Sequence, residues 1–212
     1  MRDTLLTWQS GKRLCYSIII ALITGSVLGV FALDLWSAPV AVDAVFSSTG
    51  SNNVTGAQNV FIDDQVGYTF YRDGSPNAGQ CVYSKTTDGG STWGTPVVVD
   101  SQGDCTKIVV WYDQWTPGDS GSYIHIVTLD FSDDDLFYNR LDTTSDTLWL
   151  GSAPVNMSQN PGQSPTISET FNTHAVTKAT DGTLYAAVAD NGDAYVVSCS
   201  ANCNNASNWS EV

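Results

Sequence analysis

Beyond residue 38 the apolar positions fall in short runs, many alternating with polar ones, broken by clusters of Asp, Asn, Gly, Ser and Pro. Alternation at period two with turn-forming punctuation is the pattern of β-strands, and no stretch of this region carries a helical period. Strands are predicted at 59–62 and 67–71 around an Asp-Asp-Gln turn at Asp63, Asp64 and Gln65, then at 80–85 and 96–99. The same order returns at 107–112, 123–129, 136–140 and 154–157. It begins again at 174–178, 184–188 and 194–198, with an Asp181-Gly182 turn and no fourth strand before Val212.

The repeat has markers. Trp93, Trp149 and Trp209 are 56 and 60 residues apart, and each follows an Asp that ends an apolar run: Asp73 by 20, Asp130 by 19, Asp190 by 19. A second β-type run lies between each Asp and its Trp, as in Cys81-Val82-Tyr83-Ser84. Four antiparallel strands per copy, with a Trp-bearing turn, is the signature of a propeller blade. The expected fold is therefore all-β: a partial β-propeller of two full four-stranded blades and most of a third, after an N-terminal hydrophobic helix. Propellers close with about 4–8 blades. The region thus reads as the N-terminal part of a longer protein, or as one component of a ring of several chains.

Residues 14–33 carry no charge and follow Arg2, Lys12 and Arg13. A basic flank before a segment that would be about 30 Å long as a helix suits either a signal peptide or a membrane anchor. The expected division is a leader at 1–38, a linker at 39–54 and the β domain at 55–212. On either reading the β domain lies outside the cytoplasm, secreted or membrane-anchored through its N-terminal segment.

The 212 residues carry a formal net charge of −14, with 20 Asp and 2 Glu. Asp favours turns and Glu favours helix interiors, so the ratio agrees with a loop-rich β protein. Excluding the leader leaves Arg72, Lys85, Lys107, Arg140 and Lys178 against 20 acids, a net of −15. Phosphate neutralisation needs clustered basic residues, which excludes nucleic acid as a partner. Cys15 sits in the apolar segment. The other four cysteines lie in the exported part, where oxidation is permitted, and three pairings exist. Local pairing, Cys81 with Cys105 and Cys199 with Cys203, is favoured over zinc, because His125 and His174 are far apart in sequence.

Thr86-Thr87-Asp88-Gly89-Gly90-Ser91-Thr92-Trp93 fits the pattern Ser/Thr-x-Asp-x-Gly-x-x-Trp. Here the sequence resembles the BNR/Asp-box β-propellers, a superfamily best known for sialidases. Asp142 to Trp149 and Asn202 to Trp209 keep only the Trp of that box. The roles expected of Thr86, Asp88, Gly90 and Trp93 are structural. The carboxylate satisfies backbone N–H groups in a tight turn, Gly90 supplies positive φ, and the indole packs on the blade. The resemblance implies a glycosidase with a Tyr nucleophile, a Glu partner, an Asp acid/base and three Arg on a carboxylate. Only Arg72 and Arg140 are present after the leader, Glu169 is the one Glu before the last two residues, and the family's Arg-Ile-Pro segment is absent. No catalytic residue is therefore assigned.

The remaining candidates are binding residues. Arg72 and Asp73, at the end of an inner-type strand, could face a channel mouth. Trp111, Tyr112 and Trp115 with Asp113 could offer an aromatic platform to a sugar ring. Asp130, Ser132 and Asp134 alternate and could chelate calcium through oxygen, though the stretch lacks the Gly and terminal Glu of a known loop. No cofactor is required otherwise. The functional expectation is an extracytoplasmic scaffold that binds a glycan or an extracellular protein. The alternative is a sialidase-like exo-glycoside hydrolase whose catalytic residues lie beyond residue 212.

Overall fold

The computed structural model describes Val42 and residues 58–73, 79–101, 105–130, 135–158, 174–190 and 193–212. The expected leader, nearly all of the linker and Glu169 lie outside the described residues, as do Ser132 and Asp134 of the calcium candidate. Among the described residues no helix is long and apolar enough to cross a membrane.

The described residues are all-β, with three antiparallel sheets taken in sequence order and almost no helix. The first sheet holds β1 (Asn59–Phe61), β2 (Gly67–Arg72), β3 (Cys81–Thr86) and β4 (Val97–Asp100). The second holds β5 (Cys105–Tyr112), β6 (Tyr123–Asp130), β7 (Leu136–Asp142), β8 (Thr147–Leu148) and β9 (Val155–Asn156). The third holds β10 (His174–Lys178), β11 (Leu184–Asp190), β12 (Asp193–Cys199) and β13 (Ser210–Glu211).

Two expectations are corrected here. The third repeat does possess a fourth strand, because Ser210 and Glu211 pair with Ser198 and Val197. Exposed Ser and Glu on a two-residue strand leave no hydrophobic alternation by which to see it. The fourth position of the second sheet is shared, since β7 pairs with β8 near its end and with β9 near its start. The expected strand at 154–157 is one of the two halves, shortened to Val155–Asn156.

The middle sheet explains why its strands read as nearly continuous apolar runs rather than clean alternations. One face meets the first sheet: Ile108, Val110 and Tyr112 of β5, Ile124 and Ile126 of β6 and Leu141 of β7 share a core with Tyr68, Phe70 and Tyr83. The other face meets the third sheet: Val109, Val127, Leu129, Leu136 and Tyr138 share a core with Val176, Leu184, Ala186, Val188, Val197 and Trp209. A strand covered on both faces needs apolar residues at odd and even positions alike.

Polar and covalent ties cross the boundary between the first and second sheets. Cys81 and Cys105 form a disulfide between the first and second sheets, and Cys199 and Cys203 form one within the third. Thr128 donates to Asp100 at 2.5 Å, and the Asn139 amide donates to the Val99 carbonyl at 3.1 Å. On the same boundary Lys85 Nζ and the Tyr68 hydroxyl each lie 2.5 Å from the Asp146 carboxylate.

The turn between Thr86 and Trp93 is built on a set of short hydrogen bonds. Asp88 Oδ1 accepts from the Thr92 amide at 2.8 Å, Oδ2 accepts from the Thr92 hydroxyl at 2.6 Å, and Thr86 Oγ1 accepts from the Gly90 amide at 2.9 Å. Gly89 and Gly90 have φ of 69° and 88°, which L side chains adopt at a cost. Trp93 meets Phe61 edge-on at 6.4 Å between ring centroids. The three marker tryptophans differ in environment: Trp209 is fully buried, Trp93 half-buried, and Trp149 exposed.

Candidate functional site

The period-two rule and the hairpin register of β6 and β7 assemble the site. His125 stands opposite Arg140, Tyr123 opposite Asp142 and Val127 opposite Tyr138. Tyr123 and His125 on β6 therefore share one face with Tyr138 and Arg140 on β7, the face turned toward the third sheet. The turn after β8 returns Trp149 to the same place, its backbone amide donating to the Arg140 carbonyl at 2.9 Å. Lys178 arrives from the end of β10. With Gly182, Leu184 and the segment from Ser200 to Cys203, these residues line a cleft of about 280 Å³.

The floor of the cleft is a buried polar chain. Asp113, in the single 3-10 turn that follows β5, is almost wholly enclosed. Its Oδ1 lies 2.8 Å from His125 Nε2 and 2.5 Å from Lys178 Nζ, and its Oδ2 accepts from the Tyr123 amide at 2.9 Å. Burial pushes this carboxyl up, but the hydrogen bonds from His125, Lys178 and Tyr123 outweigh it and hold Asp113 well below the usual carboxylate range. An ionised carboxylate only accepts, so the network assigns the imidazole proton to Nε2. Nδ1 is then free to accept from the Tyr138 hydroxyl, 2.8 Å away. Burial lowers the His125 pKa despite Asp113, so the ring is neutral, and burial raises that of Tyr138. Lys178 also reaches Asp119 Oδ2 at 2.8 Å. Burial opposes its charge, but the two carboxylates raise its pKa on balance.

The rim is aromatic and cationic. The Arg140 guanidinium carbon lies 3.5 Å from the Trp149 ring centroid and 4.1 Å from that of Tyr123. A stacked arginine keeps its planar N–H edge for an acceptor while its faces gain cation–π attraction. Behind it, the Tyr138 ring packs on Trp209 at 5.2 Å, and the Trp209 indole donates to the Cys203 carbonyl at 3.0 Å.

The candidates named from sequence are scattered by this geometry. Trp111 turns toward the third sheet and Tyr112 toward the first, with Trp115 edge-on to both, so no flat platform forms at 111–112. Asp113, by contrast, enters the cleft. Arg72 pairs with Cys81, whose disulfide partner Cys105 begins β5, whereas Asp113 follows the end of β5; Arg72 and Asp73 thus lie at the other end of the sheets. Asp73 is buried and its amide closes the following turn onto the Gln80 carbonyl at 2.9 Å. Asp130 pairs with Cys105 at that same far end. Among the described residues no group of three or more His, Cys, Asp or Glu side chains is placed to hold a metal ion.

Tyr123, Tyr138, Arg140 and Lys178 were not singled out as site residues by the sequence, Trp149 was read only as a marker of the repeat, and His125 was read only as a strand residue. The signal that finds them is the pair Tyr123-x-His125 and Tyr138-x-Arg140 on adjacent antiparallel strands. Those positions share a face once the register is fixed.

No protein-family model matches the chain, and no curated protein sequence matches it. Among solved structures it is similar to two of a polysaccharide lyase, PL25-ulvan lyase, one of them bound to -[GlcA(1-4)Rha3S]-. Each is 14% identical, with a TM-score of 0.46, over 73% of this chain and 42% of the other. The chain thus spans about two-fifths of the length of these structures.

Proposed function

We propose that the chain is an extracytoplasmic glycan-binding scaffold, its three sheets consecutive blades of a propeller of the Asp-box kind. The face-to-face stacking of successive antiparallel meanders supports the propeller reading. The two disulfides support an oxidising compartment. The observation that carries the functional reading is the Trp149–Arg140–Tyr123 stack at the rim of a concave cleft. Aromatic faces suit the apolar side of a pyranose, and the convergent polar groups beside them fix orientation.

Screening the purified protein on a glycan array, followed by calorimetry with each hit, tests this. Trp149→Ala should weaken saccharide binding at least about tenfold, a loss of about 1.4 kcal/mol, with no change in thermal stability. Retention of every glycan hit by the variant would remove the cleft from the proposal.

A second reading, an exo-glycoside hydrolase of the sialidase-like kind, is favoured by the Asp113–His125–Tyr138 chain, which could relay a proton to the cleft. Release of fluorophore from a fluorogenic sialoside, abolished by Tyr138→Phe, would decide for the enzyme.

A further inference from the structure

The cleft has a charge imbalance that its aromatic walls do not explain. The protein is strongly acidic, yet Arg140 has no carboxylate partner and no side-chain hydrogen bond among the described residues. Four described acids of the second sheet and its turns are already engaged. Asp113 and Asp119 are taken by Lys178, and Asp142 accepts from the amide and hydroxyl of Thr144 at 2.9 and 2.7 Å. Asp146 is taken by Lys85 and Tyr68. The guanidinium charge is nonetheless felt by the floor, where it disfavours the imidazolium of His125 and favours the phenolate of Tyr138. A cation with two rings at cation–π distance and no carboxylate partner among the described residues, in a chain this acidic, is pre-organised for an external anion.

We infer that the cleft recognises an acidic saccharide, the N–H edge of Arg140 gripping its carboxylate or sulfate ester while a sugar face lies against Trp149. This rests on the glycan-binding reading and specifies its ligand class. The fork geometry of guanidinium matches a planar carboxylate through two parallel hydrogen bonds, and a sulfate ester through two of its oxygens. Lys178 does not compete for the anion, because Asp113 and Asp119 already hold its ammonium.

Calorimetric titration of the full chain with three oligosaccharides tests the inference: an oligoglucuronate, a sulfated neutral galactan fragment and a neutral cello-oligosaccharide. At least one acidic probe should bind at least about tenfold more tightly than the neutral one, and its affinity should fall as salt is raised. Arg140→Gln should abolish that preference, and Arg140→Lys, which keeps the charge but loses the fork, should restore only part of it. Which acidic probe responds identifies carboxylate or sulfate as the recognised group. Binding of all three probes with equal affinity, unchanged in Arg140→Gln, would overturn the charge assignment while leaving glycan binding intact. Binding of none, together with an empty glycan array, would overturn both. Equal melting temperatures for the Arg140 variants and the parent confirm that the comparison is between folded proteins.

Discussion

Lys178 Nζ lies 2.5 Å from Asp113 Oδ1, so the end of a strand in the third sheet is held by a carboxylate carried on the second. The same Asp113 also holds the His125 ring and the Tyr123 amide. Replacing it with Asn keeps the shape but leaves a half-buried ammonium with Asp119 as its one remaining counter-charge. Asp113→Asn should cost about 3 kcal/mol, the lower end of what breaking a buried pair costs. It should be read as a lower urea midpoint at unchanged slope. Lys178→Met should cost less, since Asp113 keeps two of its three donors. Equal losses would show that the carboxylate is not the hub.

His174 predicts the acid limb of stability. The ring is fully buried, and among the described residues neither nitrogen makes a well-formed hydrogen bond, the Val127 backbone offering at most a weak one. Burial, helped by the charge of Lys107, lowers its pKa to about 4, against about 6.5 in the unfolded chain. On acidification the unfolded chain therefore takes up the proton first. Stability should be complete above about pH 6.5, decline by on the order of 3 kcal/mol as pH falls toward 4, and gain no further loss from this group below that. The depressed Asp113 adds a later loss, below about pH 4, where its carboxylate is protonated in the unfolded chain. His174→Leu should make the first limb shallower without abolishing it in urea melts between pH 7 and 4, since buried His125 also has a lowered pKa, and should stabilise the protein at neutral pH by removing a poorly satisfied buried polar ring.

The turn at Asp88 should matter to folding and not to ligand. Asp88→Ala removes the acceptor for both Thr92 donors, so the melting temperature should drop while saccharide affinity stays at the parent value. A loss of affinity in a variant that melts normally would place the turn near the ligand and contradict this.

The two disulfides should differ in weight. The bridge between Cys81 and Cys105 closes a separation of 24 residues and joins two sheets, while that between Cys199 and Cys203 closes a separation of 4 within one. Replacing the first pair with Ala should cost about 3 kcal/mol, and replacing the second should cost less. The second should instead loosen Trp209, whose indole bonds to the Cys203 carbonyl, visible as a red shift of tryptophan emission.

The strand order was legible because each hairpin announces itself locally: apolar alternation, then Asp, then a second run. Asp73 and Asp130 mark the ends of β2 and β6 in the structure, where their amides close the turns onto Gln80 and Asp135. Strand β13 was not legible, because Ser210 and Glu211 form a two-residue strand exposed on both faces. The cleft was not legible for a different reason. Arg140 and Tyr123 are 17 positions apart and meet only through register and stacking, neither of which a linear motif encodes. Asp113 was noticed for its aromatic neighbours, whereas its partners are His125 and Lys178.

The cross-link from Cys81 to Cys105 has a temporal meaning for a chain delivered N-terminus first. Its second sulfur is synthesised well before His174 begins the third sheet, so in an oxidising compartment the bond can fasten the boundary of the first two sheets before the third is complete. From then on each newly arriving meander docks on a template already locked in place, and misthreaded pairings between early and late segments are shut out by covalent history.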